Sequence, residues 1–288
     1  MFPNQFDYHR PTSVQEAVQL LQDNPDAKII AGGHSLLPAM KLRLAAPAAL
    51  VDLAKIAGLR GINVNGGVTI GAMTTYRDLI DSDDLRQRLP MIPEAAYDVG
   101  DLQVQSRGTI GGSLAHSDPA ADLTAIVLAL GGQVTAVGPN GERTISADDL
   151  FVDLLTTSLE PEEVITEVSI PTPPGRTGMH YEKHRHPASG YAVVGVAAVV
   201  TLGQGDTVAS ARIAVTGATS KATRATAAEQ ALTGQPLTDQ TIAAAAQAAP
   251  DGLDLNGDLY ASADYRRHLL TVMTRRALEA AVNRARGA

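Results

Sequence analysis

Two glycine pairs constrain this chain more than any other feature of its 288 residues. Gly32-Gly33 closes the apolar run Ala27-Lys28-Ile29-Ile30-Ala31 and leads into His34-Ser35. Gly111-Gly112 lies between Thr109-Ile110 and Ser113-Leu114-Ala115. A glycine pair admits positive φ, and successive amides can then converge on an anion. The missing Cβ atoms let a diphosphate approach the main chain, and Thr109 and Ser113 add hydroxyl donors. Either pair alone reads equally well as a turn, as Gly66-Gly67 and Gly131-Gly132 do. Taken together, they predict two backbone hollows that hold one pyrophosphate from two sides.

The rest of the chain supplies the elements around them. Ser13-Val14-Gln15-Glu16 reads as a capping box opening a helix through Leu21. Leu50–Leu53 and Val68–Ala72 read as strands, Thr75–Leu85 and Met91–Val99 as helices, and Asp101–Gly108 as an irregular approach to the second pair. Asp118-Pro119 reads as the N-cap and first position of a helix running to Leu130. A hairpin is expected about Pro139-Asn140-Gly141, and a strand over Glu163–Ile170. Pro171-Thr172-Pro173-Pro174-Gly175 is the linker candidate. Beyond it come three strand runs, Met179–His186, Tyr191–Leu202 and Val208–Thr216. Helices are expected over Ala222–Leu232, Thr238–Ala248 and Tyr265–Arg286. The domain boundary therefore falls near residue 175, giving domains 1–175 and 176–288.

Charge and composition exclude several functions. The net charge is −8, and seven tyrosines and three phenylalanines are too few for a base-stacking groove, so no nucleic-acid partner is expected. No cysteine is present, which removes disulfides, thiolate catalysis and a cysteine-held iron–sulfur cluster from this chain. The N-terminus lacks a basic region followed by an apolar run, and Tyr191–Leu202 falls well short of the ~20 residues of a membrane span. A cytoplasmic protein is expected. His180, His184 and His186 share a strand face, but neighbouring Lys183 and Arg185 disfavour a dication there. Asp52 stands where a Rossmann ribose-binding acid would, yet no G-x-G-x-x-G occurs.

Ala31-Gly32-Gly33-His34-Ser35-Leu36-Leu37-Pro38 with Met40-Lys41 resembles the FAD loop of the molybdenum-hydroxylase (xanthine dehydrogenase) flavoprotein subunits. It is nearest to the medium subunits of aerobic carbon monoxide dehydrogenases. Arg107-Gly108-Thr109-Ile110-Gly111-Gly112-Ser113-Leu114-Ala115 and Asp118-Pro119-Ala120-Ala121-Asp122 resemble their second loop, and Phe6–Pro11 their opening. The resemblance implies an α+β fold: a PCMH (vanillyl-alcohol-oxidase)-type FAD domain of two subdomains, then a C-terminal three-stranded sheet with a helix bundle.

It also implies roles. Ile29, Ile30, Ala31, Gly32, Gly33, His34, Ser35 and Leu36 would line the FAD pyrophosphate and adenosine, with Thr109, Gly111, Gly112 and Ser113 closing on it. Asp122 would accept from a ribityl or ribose hydroxyl; without the resemblance it reads as an exposed acid in a helix's first turn. Ile165 would meet the flavin through its backbone, Lys183 would lie near the isoalloxazine, and Tyr191 would cover one ring face. Each also reads plainly as a strand residue. Relatives often carry Asn where Ser113 stands, and Ser has the shorter reach. No residue is assigned to acid–base catalysis or to a metal.

The implied activity is electron transfer. FAD on this chain would collect electrons from two-iron iron–sulfur clusters on a small subunit, fed by a molybdenum cofactor on a large molybdopterin-binding subunit, and pass them to an external acceptor. A dimer of heterotrimers is expected, and a peripheral contact with a membrane acceptor is compatible with it. A stand-alone FAD oxidoreductase of the same fold is the alternative; it needs a general base on this chain, and only the histidines offer one.

Overall fold

The computed structural model describes residues 1–287. Its N-terminal part is a parallel three-stranded sheet in the order Asp7–His9, Ala49–Asp52, Ala27–Ile30. Helix Val14–Asp23 lays Ala17, Val18 and Leu21 on it. Ser13 caps that helix, its hydroxyl accepting from Glu16 N at 3.1 Å. The reciprocal half of the expected capping box is displaced by one residue: the Glu16 carboxylate accepts from Thr12 N at 2.7 Å.

An antiparallel five-stranded sheet follows, ordered Ile62–Asn63, Val68–Gly71, Val164–Ile170, Gln133–Gly138, Gly141–Ser146. The last pair is the expected hairpin. The helices beside this sheet depart from expectation in four places. The single helix expected from Thr75 is two, Tyr76–Asp81 and Asp83–Arg88, because Ser82 stops one and caps the next. Asp101–Gly108 is not irregular: Leu102–Arg107 is helical, with the Asp101 carboxylate accepting from Val104 N at 2.9 Å. The second glycine pair lies inside a helix, Ile110–His116. Asp118 does not cap a helix; its carboxylate turns back onto Ala120 N at 2.8 Å, an Asx turn, and the helix begins at Asp122 and runs to Ala129.

Thr75 holds the entry to this region. Its hydroxyl accepts from Asp78 N, while the Asp78 carboxylate accepts from Thr75 N at 2.9 Å and takes the Arg60 guanidinium. Thr75→Ala removes the cap, which costs about 1 kcal/mol. Thermal melts should therefore place its Tm a few degrees below that of the parent chain.

The third sheet is antiparallel, with the three expected runs, Thr177–Arg185, Ala192–Leu202 and Val208–Thr216, and a fourth strand of two residues, Thr223–Arg224. That short strand takes the start of the segment read as a helix, which begins instead at Thr226. The central strand has no polar face because both faces are covered. Val194, Val196, Ala198 and Val200 share one core with the helices Asp239–Ala248 and Ala263–Arg286, the second of which packs on this strand. Ala197 and Ala214 join Tyr181, Leu123 and Ile126 in the core shared with the first half of the chain. No helix among the described residues is long and apolar enough to cross a membrane.

Candidate functional site

The two glycine loops meet. A Cβ built on Gly32 falls 2.7 Å from the carbonyl carbon of Arg107, closer still to its oxygen, and 2.8 Å from Gly108 Cα. One on Gly112 falls 3.4 Å from the Ala31 methyl. The backbones are thus pressed together where side chains are missing.

The loops are not equivalent, however. Of the four glycines only Gly33 has positive φ, at 75°. Among the described residues, none accepts from the amides of Gly32, Gly33, His34 or Ser35. Four consecutive amides around one left-handed residue are thus left free to donate. In the second loop the amides are already used. Ile110 N donates to Thr74 O, Gly111 N to Ala72 O, Gly112 N to the Thr109 hydroxyl and Ser113 N to Thr109 O, all at 2.9–3.1 Å. The expectation of two matching hollows is corrected. Gly111 is glycine because a Cβ would sit 2.5 Å from that of Ala72, and the second loop offers hydroxyls rather than amides. Thr109 still has its proton to donate, since it serves Gly112 as an acceptor.

Ser113 lies beside Tyr76, a buried residue whose phenol is raised to about 12 by burial, with the Ser113 hydrogen bond acting in the opposite direction. Tyr191, half exposed, lines a cleft of about 360 Å³ with Asp118, Pro119, His186 and Tyr260. Burial, then Asp118 and Asp122, raise its phenol. His34 borders a second cleft with Leu102, Gln103 and Arg107, its Nδ1 3.1 Å from Gly32 O.

Asp122 is not an exposed acid. It is 5 % exposed, with Lys183 Nζ donating to Oδ2 at 2.8 Å and the Tyr181 hydroxyl donating to Oδ1. Lys183 also donates to Asp98 O at 3.2 Å. Burial raises the Asp122 carboxyl, opposed by Lys183 and Tyr181. The structure therefore brings Asp122 and Lys183 onto each other, joining the two halves of the chain. Gly195, opposite Lys183 in register, leaves the space that the Tyr181 hydroxyl occupies. The side chain of Ile165 is buried in the core cluster that also holds Ile110 and Leu114 of the second loop.

Tyr76 and Tyr181 escaped the sequence reading. Tyr181 had a signal, because it stands two positions from Lys183 on a strand and shares its face. Tyr76 had none, since its helix read as polar-faced. Asp52 is committed elsewhere: it caps a 3₁₀ turn through Ala54 N at 2.9 Å and takes the Tyr8 hydroxyl. Each of the three histidines keeps separate company: His180 with Glu182, His184 with Tyr265 and His186 with Tyr260.

A parallel sheet carrying a free-amide loop, pressed against an α+β lobe that supplies hydroxyls, defines a PCMH-type FAD-binding protein with an appended sheet-and-helix domain. Residues 4–173 match the FAD binding domain in molybdopterin dehydrogenase, and residues 179–281 the CO dehydrogenase flavoprotein C-terminal domain. The chain is 44% identical to the carbon monoxide dehydrogenase medium chain of Hydrogenophaga pseudoflava, covering 98% of both. It is 41% identical to the 6-hydroxypseudooxynicotine dehydrogenase complex subunit alpha of Paenarthrobacter nicotinovorans, covering 99% of this chain and 97% of that one. A solved structure of carbon monoxide dehydrogenase from Hydrogenophaga pseudoflava superposes with a TM-score of 0.95 at 45% identity over 99% of each chain. The chain belongs to the family of FAD-binding medium subunits of molybdenum hydroxylases, and is an oxidoreductase subunit whose role is electron transfer.

Proposed function

We propose that this chain holds FAD with its pyrophosphate on the Gly32–Ser35 amides and relays electrons within a larger complex. The free amides of one loop, closed by a second loop in backbone contact with it, carry this reading. FAD, when bound, supplies the electron-accepting and electron-donating chemistry. This chain's residues position and tune it. Ile29–Leu36 line the pyrophosphate and adenosine, and Thr109 and Ser113 donate hydroxyl protons from the facing side, with Gly111 and Gly112 keeping that side close. Asp122 accepts from a ribityl or ribose hydroxyl. Lys183 spends two of its three donors on Asp122 and Asp98 and keeps one for the ring edge. Tyr191 lies against one ring face, and Ile165 contributes through its backbone.

The chain divides near residue 175 into the FAD domain, with subdomains 1–55 and 56–175, and the domain 176–288. Its lack of cysteine removes cysteine-held clusters from this chain, so the iron–sulfur clusters belong to a small partner subunit and the molybdenum cofactor to a large one. We expect a dimer of such heterotrimers in the cytoplasm, able to touch a membrane acceptor from the periphery. Relatives of nearly equal identity carry names for different substrates, carbon monoxide and 6-hydroxypseudooxynicotine, so the substrate is set on another chain.

The test is composition. The complex purified from its native source should contain flavin, molybdenum and iron, with flavin stoichiometric to this chain. A complex with flavin but neither metal would reject the relay and favour a stand-alone flavoenzyme.

A further inference from the structure

The helix Asp122–Ala129 is buried along its whole length, and the C-terminal half of the chain holds it at both ends. At its start, Asp122 takes Lys183 and Tyr181. Just before it, the Thr216 hydroxyl lies 2.7 Å from Pro119 O and 2.9 Å from Ala121 O, and Gly217 N donates to Pro119 O at 2.6 Å. At its end, Arg212 donates from Nε to Ala129 O at 3.2 Å and from a terminal nitrogen to Leu128 O at 2.8 Å. These are last-turn carbonyls, which have no acceptance role within the helix itself and favour a cation. Asp148, from the first half, balances Arg212 at 2.9 Å and also meets Arg224. Arg224 in turn is held by Glu229, which accepts from Ile213 N beside Arg212.

We propose that Arg212 is a positioning residue for the flavin site: it fixes the axial placement of the Asp122–Ala129 helix and thereby that of Asp122 and of the turn leading back to the second glycine loop. The inference rests on the FAD reading above. The helix is rigid and buried, so a shift at its end is carried to its start. The turn Ser117–Ala121, with Ser117 left-handed at φ 50°, connects that start directly to the helix Ile110–His116 bearing Gly112 and Ser113. The docking of the C-terminal sheet and the geometry of the second loop are therefore one mechanical unit. Removing the guanidinium strips Ala129 O of its donor, leaves Leu128 O with its backbone donor Gly131 N, and leaves Asp148 with Arg224 alone.

The experiment measures FAD dissociation constants by fluorescence titration and Tm without FAD, on the full chain, for the parent, Arg212→Ala, Arg212→Lys and Arg284→Ala. Arg284 is the control. It also joins the two halves, donating to Glu94 at 2.8 Å and Met179 O at 2.9 Å, but touches no part of the helix. Arg212→Ala should weaken FAD binding about tenfold, the effect of losing one charged hydrogen-bonding group. Arg212→Lys should recover part of it, and Arg284→Ala should lower Tm while leaving FAD affinity unchanged. Equal FAD affinity for Arg212→Ala and the parent would overturn the proposal, as would an equal loss in the control. If Arg212→Ala does not fold, the Arg212→Lys and Arg284→Ala comparison decides in the same way. A parent chain that binds no FAD would refute the underlying reading instead.

Discussion

Gly32→Ala should weaken FAD binding by about a hundredfold or more while leaving a folded chain. The added methyl meets the Arg107 carbonyl and Gly108 Cα, backbone atoms that no rotamer change can move. One loop must withdraw by roughly 1 Å, the scale at which a binding constellation loses its function. A hundredfold loss is ~2.7 kcal/mol. Gly33→Ala makes an instructive comparison, because Gly33 carries the positive φ but its Cβ would meet only movable side-chain atoms of Leu37 and Ile30 at 3.0–3.3 Å. A left-handed alanine costs ~1–2 kcal/mol, so its effect should be smaller. Fluorescence titration gives the affinities, and far-ultraviolet circular dichroism checks the fold. Parent-like affinity in Gly32→Ala would mean that loop contact does not shape the phosphate site.

That ranking is where sequence and structure part. The glycine pairs were legible as places where side chains are excluded. The reason for the exclusion was not, because Gly32 and Gly111 are small to admit another backbone or a methyl rather than to reach unusual φ. Such contacts are long-range, and no local pattern encodes them. The three long C-terminal strands were legible from their strand-like runs, the central one, Ala192–Leu202, most plainly because burial on both faces leaves no alternation to misread. Asp118 misled because Asp-Pro suits a helix start and a turn equally well, and only packing selects the turn. Asp122 was identified by its motif, yet its environment was invisible. Its partners Tyr181 and Lys183 lie on a strand of the other half of the chain, and a short acidic first turn looks the same in sequence whether solvent or an ammonium faces it.

The same pair supports the largest stability effect. Lys183→Met leaves Asp122 buried with only the Tyr181 hydroxyl, and breaking a buried ion pair by removing one partner costs ~3–5 kcal/mol. For a chain of this size that lowers Tm by about 10 °C. The loss has a definite pH sign. Burial already raises the folded-state Asp122 carboxyl above its ordinary value of 3.8, with Lys183 the largest influence opposing it. Without Lys183 it rises further. A group whose pKa is higher folded than unfolded binds its proton more tightly in the folded state, so stability falls as pH rises through the folded pKa. The Tm gap between Lys183→Met and the parent should therefore be narrow at acid pH, where the carboxyl is neutral in both states, and widen toward neutrality. Adding Asp122→Asn removes the stranded charge and should recover part of the loss at neutral pH while making the remaining deficit insensitive to pH. Melts of the FAD-free chain across the pH range measure this without any contribution from cofactor. A gap that stays constant with pH, or a double variant no more stable than Lys183→Met, would mean that Asp122 does not depend on Lys183 for its charge.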